Sequence, residues 1–103
     1  MLQPLDGPSK QGLLSSVGIT TVVEVKVGVE PFDERKVITM QSIDGKFYVY
    51  FADQGVVPNA ATVIANGFIQ VKNAKESYEA SYTQKVYVLA VTGTVNIRIA
   101  ERA

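Results

Sequence analysis

The sequence contains no cysteine, no histidine and no tryptophan among its 103 residues. Without thiol or imidazole groups the chain cannot build a disulfide framework, a Cys or His metal site, or a Ser-His-Asp or Cys-His catalytic apparatus. Ten lysines and arginines balance ten aspartates and glutamates, so the strong positive field that non-specific nucleic-acid binding needs is missing as well. We therefore predict that the protein is not an enzyme, and we expect no cofactor, metal, small-molecule substrate or nucleic-acid partner.

Long apolar runs are also absent from the sequence. No stretch approaches the ~20 apolar residues of a membrane-spanning helix, and the opening MLQPLDGPSK lacks the basic and then apolar sections of a secretory signal. We expect a soluble chain without a membrane partner. A formal net charge of zero removes the electrostatic repulsion that keeps small proteins apart, which suits a subunit of an assembly.

The first 18 residues are rich in proline, glycine and serine, which predicts an N-terminal arm or long loop. Residues 19–103 are then expected to form a single domain. The arm carries four leucines, and it is either a frayed terminus or a segment that packs on its own domain or on a neighbouring subunit. The leucines are Leu2, Leu5, Leu13 and Leu14.

After the arm, apolar and polar residues alternate with a period of two, the pattern of strands with one buried face. The segments predicted as strands are 20–29, 37–43, 46–51, 67–71, 77–81, 86–91 and 95–100. Asp44-Gly45 and Thr92-Gly93 are read as the turns of two hairpins, 72–76 as a charged turn, and 52–66 as a short helix or an irregular strand. The pattern predicts an all-β fold, an antiparallel β-sandwich or a jelly-roll-like barrel with an extended N-terminal arm.

Two of the predicted strands are apolar on both faces, although each sheet of a small sandwich has only one face against the core. In 46–51 the second face carries Tyr48 and Tyr50, and in 86–91 it carries Tyr87 and Leu89. The tyrosines are either half-exposed with their hydroxyls in water, or they contact another subunit, or they form a platform for sugar rings. The arm, the segment 52–66 or a second protein chain could cover this face.

The charged residues offer little evidence of chemistry. Proline and a cluster of charges predict that 30–35 is a solvated loop. The carboxylate pairs Asp33/Glu34 and Glu76/Glu79 fall in segments expected to face water, whereas glycoside hydrolysis needs two convergent carboxylates in a cleft.

The segments DERKVITMQ, KFYVYFAD, NGFIQ, KESYEAS and KVYVLAVTGTVNIRIAE, which together span residues 33–102, resemble small structural proteins of tailed-bacteriophage virions. The resemblance implies a non-enzymatic virion component, assembled in the host cytoplasm, and in the first place a decoration or cement protein that stabilises the head. A tail or head fibre module that binds a host receptor or glycan is the alternative. The implied partners are the major capsid protein or another virion protein, together with further copies of the chain.

The interface residues expected on this basis are the four leucines of the arm and the second face of the two apolar strands. They are Leu2, Leu5, Leu13, Leu14, Tyr48, Tyr50, Tyr87 and Leu89. No catalytic, metal-binding or cofactor-binding residue is predicted.

Overall fold

A computed structural model describes residues 9–53 and 55–103 of the chain. Within them the elements are β1 (Ser9–Val17), β2 (Val23–Glu24), β3 (Val37–Gln41), β4 (Phe47–Phe51), α1 (Ala60–Asn66), β5 (Phe68–Gln70), β6 (Lys75–Glu79), β7 (Val86–Ala90) and β8 (Val95–Arg102).

The strands form two antiparallel four-stranded sheets. Sheet A has the order β1-β8-β3-β6, and sheet B has the order β2-β7-β4-β5. The predicted all-β sandwich is confirmed.

The alternating pattern of the sequence places the core between the sheets. Strand β8 turns Val95, Ile97 and Ile99 inward, and the polar residues between them face outward. Sheet B contributes Phe47 and Val49 from β4 and three small apolar side chains from β7. The bounds of β3, β4, β7 and β8 differ from the predicted ones by no more than two residues, while β6 begins at Lys75, inside the stretch predicted as a charged turn.

Both predicted hairpins are wrong. Strands β3 and β4 belong to different sheets, and so do β7 and β8, so Asp44-Gly45 and Thr92-Gly93 lie in connections that cross from one sheet to the other. Positive-φ residues suit a sheet corner as well as a hairpin, and Gly93 adopts φ 60°. Alternation alone cannot tell the two connections apart, because both leave the flanking strands with one core face.

The connection between β3 and β4 is hydrogen-bonded to the start of β8. The backbone N–H of Asn96 donates to Asp44 Oδ1 at 3.2 Å, and its side-chain amide donates to Oδ2 at 2.9 Å. A Cβ added to Gly45 would lie 2.6 Å from Val95 Cγ1, so only glycine allows the first crossover to pack on the start of β8. The corners therefore fix how the two sheets lie on each other.

Part of the predicted arm is a strand. Residues Ser9–Val17 pair with β8 along almost its whole length and form one edge of sheet A, with a bulge between Leu14 and Val17 where Ser16 adopts φ 55°. Glycine and serine suggested a loop, but pairing with β8 supplies the strand conformation that local propensity does not. Residues 1–8 lie outside the described part of the chain.

The segment predicted as strand 20–29 pairs only briefly. Strand β2 pairs with β7 at Val23 and Glu24, and the chain then leaves sheet B. Val25 is fully buried, and the backbone N–H of Val27 donates to Oε1 of Glu101 at 2.8 Å. A buried carboxylate thus replaces the strand partner that a longer β2 would have.

The predicted solvated loop 30–35 contains a buried ion pair instead. Arg35 is 2% exposed, and its Nη1 lies 2.8 Å from Oε2 of Glu101, whose side chain is also buried. All five guanidinium N–H groups are used, since Arg35 also donates to the carbonyls of Val25, Ala80, Ser81 and Gln84. Glu101 Oε2 additionally accepts from the Phe32 N–H. The charges are therefore paired and hydrogen-bonded, which is the condition under which burial is tolerated.

The segment 52–66 ends in helix α1, one of the two alternatives that its sequence allows. The Oδ1 atom of Asn59 caps the helix by accepting from the Thr62 N–H at 2.8 Å. No helix in the two described ranges is long and apolar enough to cross a membrane.

Candidate interaction surface

The tyrosine face predicted from the sequence is the outer face of sheet B. Tyr48 pairs with Leu89 across β4 and β7, and Tyr50 pairs with Tyr87. The neighbouring residues of both strands point into the core, so these four side chains point away from it. Tyr48 and Tyr50 are half-buried, but Tyr87 and Leu89 are buried.

Helix α1 covers part of this face. It packs against both β4 and β7, and its Val63 is fully buried although it does not belong to the central core. Gly67, just after the helix, lies so close to sheet B that an added Cβ would be 3.5 Å from the Cβ of Tyr48. Of the covering groups considered from the sequence, part of the segment 52–66 lies here, in the form of α1, while the described part of the arm belongs to sheet A.

The prediction that Tyr87 and Leu89 are interface residues is therefore corrected. Both side chains are already enclosed by the protein itself, so they present no surface to a partner in this conformation. Burial raises the pKa of Tyr87, and nearby Glu24 raises it further, so its hydroxyl remains neutral. Tyr48 and Tyr50 retain partial exposure and stay candidates.

The leucines of the arm lie in different environments. Leu13 points outward from β1 and is 57% exposed, whereas Leu14 points inward and packs against the core. Leu2 and Leu5 fall outside the described residues. Leu13 is thus the arm leucine that the structure places on the surface, at the edge of sheet A.

A second exposed apolar surface was missed from the sequence. It comprises Phe68 and Ile69 of β5 together with the next apolar residue, Val71, with exposed fractions of 64%, 52% and 58%. Strand β5 is the last strand of sheet B, so its outer edge has no ladder partner in the described chain. The sequence contains a signal: FIQV carries large apolar residues on both sides of a short strand, and a sandwich edge can bury only one of them. We call these three residues the β5 edge.

The β5 edge is rigidly anchored. Gln70 lies between its apolar residues and is buried, and its Nε2 donates to the carbonyls of Met40 and Ala74 at 2.8 and 3.0 Å. Its Oε1 accepts from the hydroxyl of Tyr78 at 2.9 Å, a group whose pKa is raised by burial and, less strongly, by Glu76. The hydrogen bonds join the last strand of sheet B to sheet A, so the apolar side chains are held in place without a partner.

An aromatic cluster backs the same edge. The ring of Phe51 makes edge-to-face contacts with Phe68 at 6.3 Å and with Tyr78 at 5.6 Å between centroids. Such geometry is favourable for aromatic pairs. It fixes the ring of Phe68 while leaving most of its surface in solvent.

The carboxylate pairs considered from the sequence do not form a site. Asp33, Glu34, Glu76 and Glu79 are all exposed. Across residues 9–53 and 55–103, no three or more acidic side chains come together in an arrangement that could hold a metal ion.

Comparison with known proteins adds no assignment. No protein family, no curated protein and no solved structure matches the chain. The surfaces described above therefore have to be interpreted from their own chemistry.

Proposed function

We propose that the protein is a structural component of a tailed-phage virion, a decoration or cement protein that binds the head through the β5 edge. The observation that carries the proposal is the exposure of three large apolar side chains on a strand edge that has no ladder partner in the described residues. The register places Phe68 beside Val49 on the core side of the sheet and Ile69 beside Tyr48 on the outer side, so a partner at this edge would contact apolar side chains on both faces. Exposed apolar surface of this kind often marks a contact site. The resemblance of residues 33–102 to small virion proteins supplies the type of partner.

Two interactions are available at this edge. A strand of the partner can extend sheet B by pairing with the free backbone groups of β5, and apolar side chains of the partner can pack on Phe68 and Ile69. Because the hydrogen bonds of Gln70 already hold the strand in place, binding would lose little conformational entropy at this edge. An interface of about 800 Å² per partner is ordinary for specific complexes.

Weak single contacts suffice for a cement role. A capsid presents the same site many times, and a decoration protein that contacts several subunits, or that associates with its own copies, gains avidity from repetition. Buried surface and backbone pairing need no reactive side chain, which agrees with a sequence that has no histidine and no cysteine. We therefore place further copies of the chain and the major capsid protein among its partners, with the virion as its location.

The proposal is tested by co-sedimentation with phage heads. Under the proposal, the genome that encodes this protein also encodes a major capsid protein, and heads assembled from that protein are mixed with the purified chain. We expect saturable binding and greater resistance of the decorated heads to heat. Binding should be lost in the double variant Phe68→Ser/Ile69→Ser.

The matched control is the double variant Ile19→Ser/Val29→Ser, which also removes two exposed apolar side chains. Ile19 is 49% exposed, close to Ile69 at 52%, but it lies outside the β5 edge. Equal loss of binding in the control would contradict the assignment to β5. A wild-type chain that ignores heads but binds a glycan array, with signal lost in Tyr48→Ala and Tyr50→Ala, would replace the proposal by a fibre module.

A further inference from the structure

The outer face of sheet A carries a second, unrelated surface. The strand registers align its outward residues in three rows that run across the strands. The first row is Leu13, Arg98, Gln41 and Lys75; the second is Gln11, Ala100, Thr39 and Ser77; the third is Ser9, Arg102, Val37 and Glu79.

The middle row is lower than its neighbours. Ala100, Thr39 and Ser77 are small, and the Thr39 and Ser77 hydroxyls are hydrogen-bonded to each other at 2.9 Å. The longer side chains of the outer rows stand on both sides, and together they enclose an open trough of about 280 Å³. We call it the cationic trough, because Lys75, Arg98 and Arg102 line it.

The charge of the trough is uncompensated. No carboxylate lines it, and in the described residues none of its three cations forms an ion pair. Glu79, at the end of the third row, is two strands from Arg102, a separation of roughly 10 Å between backbones. On a chain with zero net charge, three cations around one trough form a local field that attracts anionic groups.

We propose that the cationic trough binds a short acidic segment of a partner protein. Arginine presents parallel N–H groups that match a carboxylate, and Arg98 and Arg102 flank one end of the trough while Lys75 stands at the other. Gln11 and Gln41 also line it, and their amides supply both a donor and an acceptor for peptide groups. No aromatic ring lines it, so planar rings find no stacking platform there.

The geometry sets the spacing of the acidic residues. An extended segment that lies along the middle row turns successive side chains to opposite sides. One acidic residue then faces Arg102, the next faces Arg98, and a third, two positions further on, faces Lys75. This inference is independent of the proposed function, because it uses the outer face of sheet A and not the β5 edge.

The test measures the binding of a fluorescein-labelled peptide, Gly-Glu-Glu-Ser-Glu-Gly, by fluorescence anisotropy at low ionic strength. The same peptide with glutamine in place of glutamate is the reference. We expect the acidic peptide to bind at least about tenfold more tightly, and we expect added salt to weaken its binding. Amide chemical shifts of Thr39, Gln41 and Ala100 should move on titration.

Variants assign the binding to the trough. The double variant Lys75→Gln/Arg98→Gln should weaken binding by about tenfold or more, since it removes two charged partners. The control Lys46→Gln neutralises an exposed lysine between β3 and β4 and should change affinity by less than about twofold. All three side chains are exposed, so these variants are expected to fold.

Three outcomes would overturn the proposal. First, the acidic peptide and its glutamine counterpart could bind equally, which would show that the carboxylates are not recognised. Second, Lys46→Gln could weaken binding as much as the double variant, which would show that binding depends on the overall charge of the protein and not on the trough. A sulfated oligosaccharide could displace the peptide at lower concentration than unlabelled peptide does, which would assign the trough to a glycan. If Lys75→Gln/Arg98→Gln loses peptide binding but still binds heads, the trough and the β5 edge are independent sites, which supports the proposal.

Discussion

The outer faces of the two sheets differ although the strands beneath them were built from the same alternating pattern. On sheet A most of the outward residues are polar or charged, with Leu13, Val37 and Ala100 as the apolar exceptions, and part of this face forms the cationic trough. On sheet B they are aromatic and aliphatic, and helix α1 packs on them. The comparison shows that an apolar outward row does not by itself indicate a partner, because the chain's own helix can cover it.

The difference also explains which surfaces remain available. Leu89 lies on an outer face and is fully buried, whereas Leu13 lies on the other outer face and is mostly exposed. The apolar surface that is left uncovered on sheet B is at its rim, in the β5 edge. Under the two proposals, a partner of sheet B would bind at the edge of the sheet, and a partner of sheet A would bind on its outer face.

The largest expected loss of stability, which would affect both sheets, comes from breaking the buried ion pair between Arg35 and Glu101. Glu101→Gln would leave the buried Arg35 guanidinium without its counter-charge, and we expect a loss of about 3–5 kcal/mol in the free energy of unfolding. Chemical denaturation measures it. The double variant Arg35→Met/Glu101→Leu removes both charges but also leaves the backbone groups that the pair hydrogen-bonds without partners, so it should lose at least as much as Glu101→Gln. A loss below about 1 kcal/mol in Glu101→Gln would contradict this account of the ion pair.

The next effect compares the same truncation on the two outer faces. Leu89→Ala should lower the free energy of unfolding by about 3 kcal/mol, because it empties a closed space beneath α1. Leu13→Ala should change it by no more than about 0.5 kcal/mol, because that side chain is already largely in water. Urea unfolding of both variants checks the pair. Similar losses would mean that α1 does not cover sheet B as described.

The smallest effect concerns the corner where the crossovers meet, and it depends on pH. Hydrogen bonds from Ser42, and then from Asn96, hold the pKa of Asp44 below its ordinary value of 3.8. The ionised form is thus favoured in the folded state, so its contribution is present above that value and is lost as the pH falls through the folded pKa.

We expect Asp44→Asn to reduce the acid dependence of stability, measured as urea midpoints at about pH 6 and about pH 3. Asp53→Asn removes the same charge from another exposed position and serves as the control. An equal change in the two variants would show that the corner hydrogen bonds are not the cause.

Alternation predicted the core strands well, because apolar residues that point into the core recur at every second position of β4 and β8. It could not predict the sheet to which a strand belongs. Val95–Arg102 shows the same alternation whether it follows β7 in a hairpin or crosses to lie between β1 and β3. In the structure β8 pairs with β1 and β3, and Gly45 packs closely on Val95, 50 residues further along the chain. Such long-range contacts leave no sign in the local alternation.

The buried ion pair could not be predicted from the sequence for a related reason. Arg35 stands among charged residues that favour solvent, and its partner Glu101 is 66 residues away. The β5 edge was recognisable as a strand from its sequence, but its exposure depends on its position at the end of sheet B. Composition therefore indicated the type of fold, while the interaction surfaces required the topology.

The central position of β8 has a consequence for biosynthesis. It lies between β1 and β3 in sheet A, yet it follows all the other described strands in the chain. Until residues 95–102 are synthesised, β1 has no partner among the described strands and β3 pairs with β6 alone. Contacts between such distant parts of a chain also form slowly. Sheet A therefore cannot be completed before Val95–Arg102 is synthesised, and truncation within this strand would remove the partner that β1 and β3 share.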